Sequence, residues 1–98
     1  MNNWYYNMFG TPSSVEEDKD KYVIVINALG IAKEDTKVEV SDGMLKISGE
    51  SNYTQLREKY RLPSGVDLEG ITAESKDGIL TVIIPKSDQA RGKLIEVK

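Results

Sequence analysis

A predicted β-hairpin near the C-terminal end of the chain constrains the fold more than any other feature. Residues 71–75 alternate apolar and polar side chains, and residues 79–84 form a largely β-branched apolar run that ends before Pro85. Asp77 and Gly78 lie between the two runs, and Asp-Gly is typical of a tight hairpin turn, because Gly accepts a positive φ and Asp tolerates one. The apolar run predicts a strand inside a sheet that packs on a second layer, since one face alone could not bury it.

The rest of the chain repeats this pattern of short strands and turn residues. The β-branched run at residues 22–27 predicts a central strand packed on both faces. Residues 28–35 predict a connection with one helical turn, and Asp42-Gly43 is a second hairpin signal. The predicted strands lie at residues 13–18, 22–27, 36–41, 44–49, 53–62, 71–75 and 79–84. About seven short strands without a long helical period predict an all-β fold, an immunoglobulin-like antiparallel β-sandwich.

Composition excludes several functional classes. The 98 residues predict one domain and contain no cysteine and no histidine, so thiol nucleophiles, disulfides and histidine-dependent triads or metal sites are absent. No glycine pattern matches a phosphate-binding loop, because Arg91-Gly92-Lys93 lacks the upstream glycine and the preceding strand. We therefore expect a protein that is not an enzyme and uses no cofactor and no metal.

Charge and hydropathy narrow the expected partners and location. The net charge of −3 and the dispersal of Lys and Arg among acidic residues along the sequence predict no nucleic-acid partner. No segment reaches the roughly 18 apolar residues that a membrane span requires. The absence of Cys and of a signal-peptide pattern at the N-terminus predicts a cytoplasmic protein.

The first 12 residues are predicted to be a short arm. Its aromatic and methionine side chains fit neither a helix face nor a strand alternation, and they are Trp4, Tyr5, Tyr6, Met8 and Phe9. Two alternatives remain open for this arm. It folds back on its own domain, or it is an exposed segment for subunit contacts or client proteins, a role that aromatic and Met side chains fill at adaptable apolar interfaces.

The acidic residues that follow the arm do not have the pattern of a cation site. Glu16-Glu17-Asp18 and Asp20 match no calcium-loop spacing, and no Gly lies at their centre. We therefore expect a solvated strand edge at this position.

In motif and order, residues 13–98 resemble the α-crystallin domain of the small heat-shock proteins. The most specific match is residues 73–86, where an Ala is followed by a turn and by G-I-L-T-V-I-I-P-K. Further matches are Glu34-Asp35, L-K-I-S-G-E at residues 45–50 and Y-R-L-P at residues 60–63. The terminal Ile95-Glu96-Val97 resembles the family's I-x-I/V anchor. This resemblance divides the chain into the arm (1–12), an α-crystallin domain (13–86) and a C-terminal extension (87–98).

The sequence departs from the family pattern at three places. Ala28-Leu29-Gly30 replaces the usual Leu-Pro-Gly, and Glu58 occupies a position that is commonly basic. Bacterial and plant members carry a long loop with a strand that is exchanged between subunits, whereas only residues 51–56 separate Glu50 from Arg57 here. A swapped strand has no room, so we expect dimers to form by edge-to-edge pairing of the strand at residues 53–62.

The C-terminal tripeptide is predicted to anchor the chain to a neighbouring subunit. Ile95 and Val97 project to the same side of an extended segment, which fits two side chains filling pockets along a sheet edge. The tether at residues 87–93 can span about 23 Å at about 3.3 Å per residue. The resemblance places the acceptor groove between two strands, with Val38 and Val40 on one and Ile71 and Ala73 on the other. In the alternative arrangement, residues 94–97 cap an edge of their own domain.

The resemblance implies an ATP-independent chaperone of the stress response, a holdase that binds partly unfolded proteins and limits their aggregation. It also implies a homo-oligomer that assembles through the C-terminal segment. A co-chaperone or adaptor module like the related CS domains is the alternative, since these share the sandwich but are usually monomeric and lack the I-x-V tail.

Overall fold

The computed structural model describes residues 13–88 and 95–98, and the first of these ranges contains seven strands in two antiparallel sheets. The strands are β1 (Ser13–Glu17), β2 (Lys21–Asn27), β3 (Thr36–Ser41), β4 (Met44–Glu50), β5 (Gln55–Arg61), β6 (Thr72–Lys76) and β7 (Ile79–Pro85). Short 3₁₀ turns at Lys33–Asp35 and Leu68–Gly70 precede β3 and β6. The predicted all-β class and antiparallel sandwich are confirmed, and the strand predicted at residues 53–62 begins only at Gln55.

The two sheets divide the strands unequally. Sheet A has four strands in the order β1-β2-β7-β6, and sheet B has three in the order β3-β4-β5. Strands β1, β6, β3 and β5 are therefore the sheet edges. Since edge strands present unpaired backbone groups, these four positions are where another chain can add to the fold.

Both Asp-Gly turns adopt the backbone conformation that their sequence predicts. Asp42 and Gly43 have φ of 53° and 74°, and Asp77 and Gly78 have φ of 53° and 79°. Two consecutive positive φ values are typical of a two-residue hairpin turn, whose twist matches that of the flanking strands. A Cβ on Gly78 would lie 2.9 Å from Cδ1 of the exposed Leu29, a side-chain end that can move, so the positive φ rather than space is what favours Gly at this position.

The core lies between the inner faces of the two sheets. Sheet A contributes the inward side chains of β2 and β7, and sheet B contributes those of β4 and β5. The most deeply buried apolar side chains are Ile24, Ile26, Val82, Ile84, Leu45, Ile47 and Tyr60, each at most 1% exposed. These inward positions are two residues apart along each strand, as the strand repeat requires.

The prediction that β2 is packed on both faces is wrong. Ile24 and Ile26 are buried, whereas Val23 and Val25 on the opposite face are only half-buried. Sheet A is covered by sheet B on one side, so the β-branched outer residues reflect strand propensity rather than a second buried face.

Candidate peptide-binding groove

The first side of the candidate groove is edge strand β3. Val38 pairs with Ile47 of β4, and Val40 pairs with Leu45. Residues opposite each other in an antiparallel pair project from the same face, and both β4 partners are buried in the core. Val38 and Val40 therefore point between the sheets, yet Val40 is 36% exposed.

The second side is edge strand β6, which belongs to the other sheet. Ala73 pairs with Val82 of β7, and Ser75 pairs with Leu80. Val82 and Leu80 are core residues, so Ala73 and Ser75 also point inward. Ala73 is nevertheless exposed, because no strand within residues 13–88 pairs with the outer side of β6.

These inward but uncovered positions enclose a groove of about 340 Å³ between the two sheets. Its lining residues are Lys33, Thr36, Val38, Ala73, Glu74, Ser75 and Leu80. The structure thus brings together Val38 and Ala73, one predicted residue from each strand. Ile71 packs against the core, and Ile71 and Val40 are not among the lining residues.

The C-terminal tripeptide is exposed. Ile95 is 68% exposed and Val97 is 91% exposed. Fully burying an apolar side chain of this size is favourable by about 1.5–3 kcal/mol relative to leaving it exposed, so two such side chains outside any core are suited to docking. The predicted arm residues Trp4, Tyr5, Tyr6, Met8 and Phe9 lie outside the described residues.

The acidic end of β1 is organised around a turn and a cation. The Asp18 carboxylate accepts hydrogen bonds from the backbone N–H groups of Asp20 at 2.7 Å and Lys21 at 2.9 Å. These bonds, with that from the Lys21 ammonium, hold the pKa of Asp18 below its usual value. Glu17 accepts a hydrogen bond of 2.8 Å from Lys86, so both carboxylates have structural roles.

Lys86 is a structural residue that the sequence analysis did not single out. Its ammonium bonds to Glu17 and lies 4.9 Å from the centre of the Tyr22 ring, and its backbone N–H donates to the Asp20 carbonyl. The hydrogen bond to Glu17 raises the pKa of Lys86. The partners are far apart in the sequence, so no local pattern indicated this contact.

Glu58 is buried inside the sandwich. It pairs with Ile47 across β4 and β5 and is 1% exposed. The Tyr60 hydroxyl donates a hydrogen bond to its carboxylate, which provides the partner that a buried carboxylate requires. Glu58, at a position that is commonly basic in the family, thus has a hydrogen-bond partner on its own strand.

No helix within residues 13–88 and 95–98 is both long and apolar enough to cross a membrane.

Comparison with protein families places this geometry among known proteins. Residues 14–98 match the model of the Hsp20/alpha crystallin family. The chain is similar to a 17.1 kDa class II heat shock protein of Pisum sativum, with 32% identity over 93% of this chain and 73% of the relative. It is 33% identical to the mitochondrial 23.6 kDa heat shock protein of Oryza sativa over 86% of this chain, but that match spans only 46% of the rice protein.

A solved structure has the same architecture. A small heat-shock protein from Xylella fastidiosa aligns with a TM-score of 0.72 over 97% of this chain and 98% of its own. At 22% identity this likeness shows the fold alone. The family match over residues 14–98 and the pea relative carry the assignment, and the chain belongs to the Hsp20/α-crystallin family, the small heat-shock proteins.

Proposed function

We propose that this protein is an ATP-independent holdase chaperone that assembles into oligomers through its C-terminal segment. Membership of the family supports a chaperone role rather than an enzymatic one. The groove between β3 and β6 is the observation that carries the proposal for assembly. It presents inward-facing positions that its own domain leaves uncovered.

Apolar side chains on both the tail and the groove support this pairing. The tail carries two exposed apolar side chains at a spacing of two residues, and an extended segment with this spacing can add along a sheet edge. The groove offers the apolar side chains of Val38 and Leu80 beside the small Ala73. Each chain then acts as both donor and acceptor, and this heterologous contact builds rings or larger assemblies.

A second contact is proposed at the edge of β5. Among the described residues β5 pairs only with β4, and the connection from β4 holds no additional strand. Edge-to-edge pairing of β5 with its copy forms a dimer without strand exchange. The N-terminal arm supplies further apolar contacts to subunits or partly unfolded clients in the cytoplasm.

The solution mass of the full chain tests the anchor. We expect the full chain to form a large oligomer and Ile95→Ala with Val97→Ala to fall to dimers, as measured by light scattering. The matched control truncates two exposed leucines elsewhere, Leu29→Ala with Leu68→Ala, and keeps the large mass. A small species for both the full chain and the tail variant would leave the tail as an edge cap and favour the adaptor alternative.

Mixing two variants distinguishes loss of the contact between tail and groove from misfolding of a variant. Ala73→Arg fills the acceptor groove at an exposed position and keeps the tail, while the tail variant keeps the groove. We expect each variant alone to be a dimer. In a mixture, the intact tail of the Ala73→Arg chain can bind the intact groove of the tail variant, so the mass should rise above that of the dimer. A mixture with no mass above the dimer contradicts the pairing.

Chaperone activity is tested by the aggregation of a heat-denatured client without ATP. We expect the full chain to suppress light scattering by the client in proportion to its concentration, and addition of ATP to change nothing. A stable full chain that leaves client aggregation unchanged contradicts the holdase proposal.

A further inference from the structure

The outer face of sheet B carries a concentration of positive charge. Leu45 and Ile47 in β4 and Leu56 and Tyr60 in β5 point into the core, so the residues between them point outward. The charged side chains on this outer face are Lys37, Lys46, Arg57, Lys59 and Arg61, with the carboxylates Glu39 and Glu50. We call this surface the basic face.

The basic face contrasts with the rest of the chain. The whole sequence has 13 basic and 16 acidic residues, and the basic face takes five basic but only two acidic ones. The remainder therefore has eight basic and 14 acidic residues. The strand alternation hides this concentration in the sequence, because every second residue belongs to the other face.

Two cations on this face are placed directly against each other. Lys46 of β4 pairs with Lys59 of β5, and like charges in opposite positions destabilise a sheet. Glu39 lies on the other side of Lys46, but its carboxylate pairs with Lys37 at 3.6 Å. The ion pairs of the described residues include neither Lys46 nor Lys59.

The same cations surround a hollow. Lys46, Ser48, Arg57 and Lys59 line a concave space of about 280 Å³, which Glu39, Ile47 and Glu58 complete. Ser48 pairs with Arg57 across the strands, one step along from the Lys46 and Lys59 pair. Of the two carboxylates, Glu39 pairs with Lys37 and Glu58 is buried and bonded to Tyr60.

We propose that this hollow is an anion site that binds a phosphate group with at least two negative charges. The Arg57 guanidinium can donate paired hydrogen bonds to phosphate oxygens, the two ammonium groups supply further charge, and the Ser48 hydroxyl is an additional donor. A bound dianion separates Lys46 from Lys59 and removes their repulsion. The outward residues of β3, β4 and β5 include no aromatic side chain, so the face does not provide the base stacking that single-stranded nucleic acid uses.

Calorimetric titration of the full chain with sodium pyrophosphate at constant ionic strength tests the site. We expect saturable binding that approaches one pyrophosphate per chain. Lys46→Gln with Lys59→Gln should weaken it by about tenfold or more, since two charge-assisted contacts are removed. The matched control, Lys19→Gln with Lys76→Gln, makes the same charge change at exposed positions off the basic face and should bind as the unaltered chain does.

The variants also exclude a folding artefact. Removing two opposed cations relieves repulsion, so Lys46→Gln with Lys59→Gln should unfold at the same or a higher urea concentration than the unaltered chain. Pyrophosphate should raise the melting temperatures of the unaltered chain and of the Lys19→Gln with Lys76→Gln control equally, and that of Lys46→Gln with Lys59→Gln much less. Equal binding by both double variants, or equal loss in both, means nonspecific screening and overturns the proposal.

A vesicle-binding experiment distinguishes two sources of the phosphate group. Cosedimentation compares phosphatidylcholine vesicles with vesicles that also contain phosphatidic acid, whose headgroup is a phosphomonoester. Binding only to the vesicles with phosphatidic acid, lost in Lys46→Gln with Lys59→Gln, assigns a lipid phosphate. Binding of pyrophosphate without binding to either kind of vesicle assigns a soluble phosphate. Binding to neither probe overturns the site.

Discussion

At the scale of single residues, Lys86 shows how one side chain joins three strands. It follows β7, its ammonium reaches Glu17 at the end of β1, and it lies over the ring of Tyr22 in β2. The sequence indicated this lysine only as the last letter of a family motif. Its partner is 69 residues away, and such a contact exists only after the sheet has formed.

Replacing Lys86 by Met tests this contact through its pH dependence. The folded chain raises the pKa of Lys86 above the usual 10.5, through the hydrogen bond to Glu17, so the contact stabilises the fold fully below the unfolded pKa and is lost as the pH rises through the folded pKa. We expect the unaltered chain to melt higher than Lys86→Met at pH 8, with the difference shrinking above about pH 10.5. Lys76→Met, an exposed control, should show no such narrowing, and a constant difference for Lys86→Met would show that packing alone is involved.

At the scale of elements, the strand repeat and the turn residues explain which parts of the fold were predictable. Alternation and the two Asp-Gly pairs predicted every strand to within a few residues, because both are local properties of the backbone. Tyr53 was predicted inside a strand but lies in the preceding turn, 96% exposed, since local propensity does not determine where pairing with β4 begins. The groove required both sheets, so only the family resemblance indicated Val38 and Ala73 together.

The pairing of β4 with β5 gives a stability prediction. Lys59→Glu places a carboxylate opposite Lys46 and exchanges a repulsive pair for an attractive one, and we expect it to stabilise the fold by about 0.2–1 kcal/mol in urea unfolding. Arg61→Glu is the matched control, because it makes the same charge change on the same strand but lies opposite Met44. A Lys59→Glu chain no more stable than the Arg61→Glu chain would show that Lys46 and Lys59 do not repel each other measurably.

At the scale of the whole molecule, the two proposed contacts lie on different edges of the fold. The groove lies between β3 and β6, whereas β5 is the opposite edge of sheet B. A chain that uses the groove for a tail thus keeps β5 available for a second copy. Two independent contacts per chain are sufficient to build a closed assembly from dimers.

The proposed dimer contact at β5 should be strengthened by salt. Residues opposite each other across antiparallel strands share a face, so pairing of β5 with its copy brings the outward cations Arg57, Lys59 and Arg61 of both chains together. Salt screens this repulsion, since the screening length falls from about 10 Å at 0.1 M to about 3 Å at 1 M.

We expect the dimer dissociation constant of Ile95→Ala with Val97→Ala, measured by sedimentation, to fall as NaCl rises from about 0.1 M to 1 M. Adding Lys59→Glu should tighten the dimer at low salt and flatten this dependence, whereas a dissociation constant that rises with salt would exclude β5 as the dimer edge.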